Sequence, residues 1–143
     1  DFTIALAKKL SKGKVYALDI QEEKLSALQS KLNLAKLSNV AMVLCDLEVP
    51  GGSTLPDNYL DVVLIPNMLF QTENKYVIIS EAQRILKSGG QLLVVDWLKS
   101  GPFSPREGMV TPDQIKEIAK DLNLFFRKEL ASGDYHYGLV FAK

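Results

Sequence analysis

Lys14-Val15-Tyr16-Ala17-Leu18-Asp19-Ile20 reads as a short buried strand that ends on a carboxylate. Gln21-Glu22-Glu23-Lys24 follows at once and opens a helix. In open α/β sheets, ligands sit outside the carboxyl ends of the strands. Asp19 therefore stands where an acid can accept hydrogen bonds from a ribose diol. The competing reading makes Asp19 a cap for the helix that follows it.

The pattern repeats outward from this stretch. Upstream, residues 1–10 read as a helix, with Ile4, Leu6 or Ala7 and Leu10 on one side and lysines opposite. Ser11-Lys12-Gly13 stops it. Downstream, Leu25, Leu28, Leu32 and Ala35 recur at helical spacing. Val40-Ala41-Met42-Val43-Leu44-Cys45 is a continuous apolar run, the mark of a strand buried on both faces of a parallel sheet. It too ends on an acid, Asp46. Cys45 within it reads as a small buried hydrophobe.

Residues 47–59 form a loop rich in Pro and Gly. A third strand, Leu60 to Ile65, stops at Pro66-Asn67. Residues 74–87 are helical, Ser88-Gly89-Gly90 turns the chain, and Gln91 to Trp97 is a fourth strand. A loop from Lys99 to Val110 follows, with Phe103 and Met109 as candidate lid residues. Thr111-Pro112-Asp113-Gln114 announces a helix through a capping box and a proline at the first helical position. Leu124–Leu130 and Tyr135–Ala142, joined by Ser132-Gly133-Asp134, read as an antiparallel hairpin. The alternation predicts an α/β fold, a mostly parallel sheet flanked by helices and closed by an antiparallel hairpin.

The bulk numbers bound the function. A chain of 143 residues is one domain by default. Apolar residues are 47% and charged residues 24%, as in ordinary globular proteins. With 17 basic and 17 acidic residues, no charge excess points to nucleic acid or a membrane surface. No apolar run approaches the ~20 residues of a membrane span. The single cysteine excludes an internal disulfide and fits the cytoplasm. The single histidine, His136, has no carboxylate or cysteine partner in sequence, so neither a metal site nor a catalytic role is assigned to it.

These segments resemble the class I S-adenosylmethionine-dependent methyltransferases. The likeness is strongest to the small-molecule branch that includes the ubiquinone and menaquinone C-methyltransferases. It rests on the strand ending at Asp19, on Leu44-Cys45-Asp46-Leu47, and on Leu60-Asp61-Val62-Val63 followed by Asn67-Met68-Leu69-Phe70. It rests also on Arg84-Ile85-Leu86-Lys87-Ser88-Gly89-Gly90-Gln91-Leu92 and on the terminal hairpin. The resemblance implies a Rossmann-like fold over residues 1–143 and methyl transfer from S-adenosyl-L-methionine to a small-molecule acceptor. It implies a cofactor contact at five residues. Asp19 meets the ribose hydroxyls, and Ile20 lies on the adenine face. Asp46 accepts from the adenine amino group while the Leu47 N–H meets a ring nitrogen, and Asn67 lies beneath the sulfonium. No catalytic base is implied. Trp97, after Asp96, is a candidate for lining the acceptor site.

One departure is large. The family's glycine-rich loop, between its first strand and first helix, has no counterpart, since no Gly-x-Gly occurs. The resemblance therefore implies that a first strand and that loop lie upstream of Asp1. Two rival readings remain at this stage. A nicotinamide-dependent dehydrogenase also places an acid after its second strand, but no Tyr-x-x-x-Lys pair is present. A truncated relative acting only as a binding module is the other.

Overall fold

The computed structural model describes residues 2–98, 101–105 and 107–143. Asp1, expected to open the first helix, and Lys99, expected to open the long loop, lie outside the described residues. The order of elements is α1 (Phe2–Lys9), β1 (Val15–Asp19), α2 (Glu22–Leu34), β2 (Val40–Leu44), β3 (Leu60–Pro66), α3 (Lys75–Ile85), β4 (Leu86–Trp97), α4 (Pro112–Asp121), β5 (Phe125–Ala131) and β6 (His136–Ala142). A 3-10 turn, Leu69–Gln71, lies between β3 and α3. The alternation and the closing hairpin agree with the sequence, and the fold is α/β and Rossmann-like.

The strands are hydrogen-bonded as two sheets. One pairs β1 with β2, and the other runs β3-β4-β6-β5. The chain divides correspondingly into two compact units, Asp1–Leu47 with Gly51–Thr54, and Glu48–Pro50 with Leu55–Lys143.

In the first unit β1 and β2 run parallel, with Val15 opposite Val40 and Asp19 opposite Leu44. Two short helices cover this two-stranded sheet and bury Ala7, Leu28 and Leu32. Every residue of β1 is only half-buried, and β2 ends on Leu44, which is 56% exposed. The apolar run from Val40 predicts burial on both faces. Two strands and two helices are too few elements to close both faces of the sheet. Asn39 ties the unit together, its Nδ2 donating to the carbonyls of Ala7 (3.0 Å), Leu10 (2.9 Å) and Gly13 (3.3 Å) at the end of α1.

The second unit holds the denser core. Strands β3 and β4 are parallel, while β6 is antiparallel to both β4 and β5. Leu92 and Val94 of β4 and Leu139 and Phe141 of β6 are fully buried. Helix α3 packs on β4, and α4 on β5 and β6. The capping box of α4 forms as the sequence predicts, with the Gln114 N–H donating to Thr111 Oγ1 (3.2 Å) and the Thr111 N–H to Gln114 Oε1 (2.9 Å).

Strand β4 departs from expectation. It starts at Leu86, so Ser88-Gly89-Gly90 lies inside the strand and not in a turn before it. Gly89 bends the strand at φ +84°, and Gly90 lies so close to its neighbours that a Cβ would come within 3.0 Å of the Asp61 carbonyl oxygen. Only glycine serves at both places.

Candidate functional site

Four of the five sequence-predicted residues fall together at the carboxyl edge of the β1–β2 sheet. Asp19 ends β1, and its Oδ1 accepts from the Gln21 N–H at 2.9 Å. Gln21 is the N-cap of α2, so this carboxylate orders the strand-to-helix turn. A carboxylate offers about four acceptor sites, and the turn uses one. The Asp19 carbonyl also accepts from the Cys45 N–H at 2.9 Å, which brings the segment just before Asp46 beside it. Cys45 itself is buried, as a hydrophobe in that strand should be.

Ile20 follows Asp19 and is 61% exposed. A β-branched apolar side chain left in solvent at this edge is a ready surface for a flat apolar group. Asp46 and Leu47, after β2, are half-buried. The edge thus presents two acids, an exposed isoleucine and the turn after β2 on adjacent parallel strands. A cavity of about 290 Å³ in this unit opens at the other end of the strands, beside Ala7, Leu37 and Asn39, away from both acids.

Asn67 belongs to the second unit. It follows β3 in the left-handed region at φ +51°, a conformation Asn tolerates better than most residues. Its N–H donates to the Val95 carbonyl at 2.8 Å, and its own carbonyl accepts from Gln71 Nε2 at 3.2 Å. Its side-chain Oδ1 is buried and has no hydrogen-bond partner.

Asp96, near the end of β4, is fully buried. Its Oδ2 accepts from the Leu69 N–H at 3.1 Å and its Oδ1 from the Trp97 N–H at 2.8 Å. Burial pushes its carboxyl above the ordinary carboxylate range, against the pull of backbone N–H groups from Trp97, Phe70 and Leu69. Asp96 therefore holds the chain just after Asn67 in place. Sequence reasoning placed Asp96 at the strand end but did not give it this role, because its partner Leu69 lies 27 residues away along the chain.

Trp97 stands opposite His136 in the β4–β6 register. Their ring centroids are 4.2 Å apart and the planes are tilted by 34°. Both line a cavity of about 190 Å³ with Gly101, Pro102, Phe103 and Tyr135. Phe103 and Trp97 both line this cavity, whereas Met109 is not part of its lining. Sequence reasoning passed over His136, since its neighbours in sequence offer no partner. The usable signal was its place at the start of the strand that pairs with Trp97. Among the described residues, no three His, Cys, Asp or Glu side chains gather to hold a metal ion, and no helix is long and apolar enough to cross a membrane.

Residues 1–94 match the family model described as a methyltransferase domain. The ubiquinone/menaquinone biosynthesis C-methyltransferase UbiE of Hydrogenovibrio crunogenus is 36% identical over 101 residues, covering 69% of this chain and 39% of that protein. The demethylmenaquinone methyltransferase of Listeria welshimeri is 33% identical over 130 residues, covering 90% of this chain and 52% of that protein. A SAM-dependent methyltransferase from Aquifex aeolicus, known from its crystal structure, superposes with a TM-score of 0.83 at 25% identity, over 96% of this chain and 73% of that one. The chain spans 39% to 52% of the length of these two curated relatives.

Proposed function

The chain belongs to the methyltransferase domain family, and on that premise we propose that it binds S-adenosyl-L-methionine and serves methyl transfer to a small-molecule acceptor, with residues 1–143 working as one domain. The observation that carries this reading is the pair of acids, Asp19 and Asp46, at the carboxyl edge of adjacent parallel strands with Ile20 exposed beside them.

Asp19 keeps acceptor capacity beyond the turn it orders and would take the hydrogens of both ribose hydroxyls. Each hydrogen bond to a charged group contributes about 1.5–3 kcal/mol. Ile20 would be covered by the adenine face. Asp46 would accept from the adenine amino group, and the Leu47 N–H would donate to a ring nitrogen. Asn67 is proposed separately as a cofactor contact. Its buried Oδ1 lacks a donor, and an N–H- or O–H-bearing group would supply one.

Bound there, S-adenosylmethionine supplies a methyl group already activated on a sulfonium. The residues then have orientation as their main task, which can remove about 7–11 kcal/mol from a two-reactant barrier. No residue is assigned as catalytic base. One curated relative is named as a C-methyltransferase of ubiquinone/menaquinone biosynthesis and the other as a demethylmenaquinone methyltransferase, and a carbon atom of a small organic molecule is the acceptor we propose.

Calorimetry on the chain with S-adenosylmethionine, S-adenosylhomocysteine and NAD tests the reading. Binding of either adenosyl ligand without NAD is the expected result. Binding of NAD alone would favour a dehydrogenase and overturn the proposal.

A further inference from the structure

We propose that the lysine-rich end of the β1–β2 unit docks on an anionic phospholipid surface. This end lies opposite the edge that carries Asp19 and Asp46, and the proposal does not depend on the cofactor reading.

The net charge of zero conceals a separation of sign within this unit. Between residues 2 and 47 the acids are Asp19, Glu22, Glu23 and Asp46. They end β1, open α2 and follow β2, so all of them lie at the carboxyl edge. Lys8 and Lys9 lie in the last turn of α1, and Lys31 in the last turn of α2. Lys12 and Lys14 precede β1, and Lys36 precedes β2. Because β1 and β2 run parallel, these lysines share the other end, with no carboxylate from residues 2–47 among them. Every one of them is exposed. Among the described residues none of them forms an ion pair.

The local structure gives these ammonium groups little to do. Lysines near a helix end often serve its last carbonyls. In α2 the carbonyls of Lys31, Leu32 and Asn33 already accept from the N–H groups of Ala35 (3.0 Å), Leu37 (3.0 Å) and Lys36 (3.2 Å). In α1 the Leu6 carbonyl accepts from the Leu10 N–H at 2.8 Å, and Asn39 serves those of Ala7 and Leu10. Lys14 Nζ lies 5.1 Å from the centre of the Tyr16 ring, a contact with no counter-charge. Lys36 stands in the left-handed region at φ +55°, a place that helix ends usually give to glycine or asparagine. The turn itself gives no reason for a lysine there.

Two features choose the partner. Leu34 is 86% exposed and lies off the stripe that buries Leu28 and Leu32, while Leu10 is 47% exposed at the end of α1. Both leucines stand at the lysine-rich end. Between the two helix ends the cavity of about 290 Å³ is lined by Lys8, Lys36, Ser11 and Ser38, with no acid. Ammonium and hydroxyl groups are donors for phosphate oxygens. Exposed leucines ringed by lysines match a phospholipid surface, where apolar side chains enter the acyl boundary and lysines meet the headgroups. A nucleic acid offers the same phosphates but leaves both leucines in water. Docked on a lipid surface, the unit keeps Asp19 and Asp46 on the side facing solution.

Co-sedimentation of the full chain with lipid vesicles tests the proposal. Each lysine near an anionic leaflet strengthens partitioning about fivefold, the factor that ~1 kcal/mol provides. Phosphatidylcholine vesicles containing about one-third phosphatidylglycerol should therefore bind the chain at least about a hundredfold more tightly than phosphatidylcholine alone, the product of three such lysines. Salt at ~1 M should release it, since screening then acts within about 3 Å. Replacing Lys8, Lys12 and Lys36 together by Gln should bring binding down to about the phosphatidylcholine level. Replacing Lys24, Lys120 and Lys128 together by Gln removes the same charge elsewhere and should leave binding nearly unchanged. Leu34→Ser should weaken it several-fold. Equal binding to the two kinds of vesicle, or an equal loss in both triple variants, overturns the proposal. So does release from the vesicles by glycerol phosphate at the lipid's own phosphate concentration, which would make this a site for a soluble phosphate. Tighter binding to a DNA duplex than to the vesicles would make it a nucleic-acid surface and overturn it as well. Should the first triple variant fail to fold, Leu34→Ser decides, because vesicle binding unchanged in that variant also overturns the proposal.

Discussion

Asp19 combines a structural and a proposed binding role, and the two can be separated by one substitution. Its Oδ1 accepts from the Gln21 N–H, so Asp19→Ala would disturb the turn as well as any ligand contact. Asp19→Asn keeps an acceptor for Gln21 and turns the rest of the group into a donor. The expected outcome is a near-unchanged melting temperature with S-adenosylmethionine affinity reduced more than about tenfold, the loss of at least one charge-assisted hydrogen bond. Unchanged affinity in calorimetry would leave Asp19 as a turn residue alone. Tyr137 offers a second residue-level prediction. Its hydroxyl donates to the Val110 carbonyl at 2.7 Å, and both residues are buried. Burial pushes the phenol above its usual value, and the nearby Asp96 carboxylate adds to the shift. Tyr137→Phe should cost about 1–2 kcal/mol at neutral pH by orphaning that carbonyl. Above pH ~10 the unfolded chain releases the tyrosine proton while the folded one retains it. Unfolding then becomes easier as pH rises, by about 1.4 kcal/mol per unit at most. Urea titrations of both proteins between pH 8 and 11 should therefore show the gap constant up to about pH 10 and shrinking beyond it. A gap that widened would contradict the assigned burial.

At the scale of elements, the passage from α3 into β4 is held by a dense set of polar contacts. The Arg84 guanidinium meets Glu81 Oε1 (2.7 Å) and Oε2 (2.8 Å), Asp57 Oδ1 (2.6 Å) and the Leu55 carbonyl (2.7 Å). Glu81 is only 4% exposed, so Arg84 neutralises a buried charge while fastening α3 to the segment before β3. Its own ionisation is pushed further up by these two carboxylates, Glu81 first. Arg84→Ala should destabilise by about 3 kcal/mol, the low end of the cost of orphaning a buried charge. Arg84→Lys should recover only part of this, since a single ammonium cannot reproduce the fork. A loss under ~1 kcal/mol in urea denaturation would show the pair to be a surface one. This junction also marks where sequence reasoning stopped. The strand–helix alternation, the hairpin and the Thr111 capping box are local patterns, and all were legible. Gly89 and Gly90 look like a turn from sequence alone. They continue the strand because Gly89 N–H donates to the Lys143 carbonyl (2.9 Å) and Lys143 N–H to the Gly90 carbonyl (3.0 Å). Lys143 Nζ adds bonds to the carbonyls of Gln83 and Leu86 at 2.7 and 2.8 Å. Contacts made from so far along the chain leave no local pattern. The orphaned atoms of Asn67 and His136 were hidden for a related reason, since burial of a single atom depends on every neighbour in space. The two acids were legible because their signal is a strand end, which periodicity does reveal.

For the whole molecule, the two units differ in how well their strands are shielded, and this difference should be measurable. In β4 and β6 the residues Leu92, Val94, Leu139 and Phe141 are fully buried, whereas no residue of β1 or β2 is. Local opening is easiest where few apolar contacts are lost. Native-state hydrogen exchange should therefore find the β1 and β2 amides exchanging at least about tenfold faster than those of β4 and β6 in the unliganded chain. A ligand held by Asp19, Ile20, Asp46 and Leu47 must be released when that sheet opens. At a concentration about a hundred times its dissociation constant, such a ligand adds ~2.7 kcal/mol to the cost of opening, close to a hundredfold slowing of exchange. Saturating S-adenosylmethionine should thus slow the β1 and β2 amides most and bring them toward the rates of β4. If calorimetry detects binding but β1 and β2 gain no protection, the cofactor sits elsewhere and the role of the two acids falls. If protection rises there with S-adenosylmethionine and not with NAD, the half-buried edge that sets this unit apart is the side of the molecule that the cofactor completes.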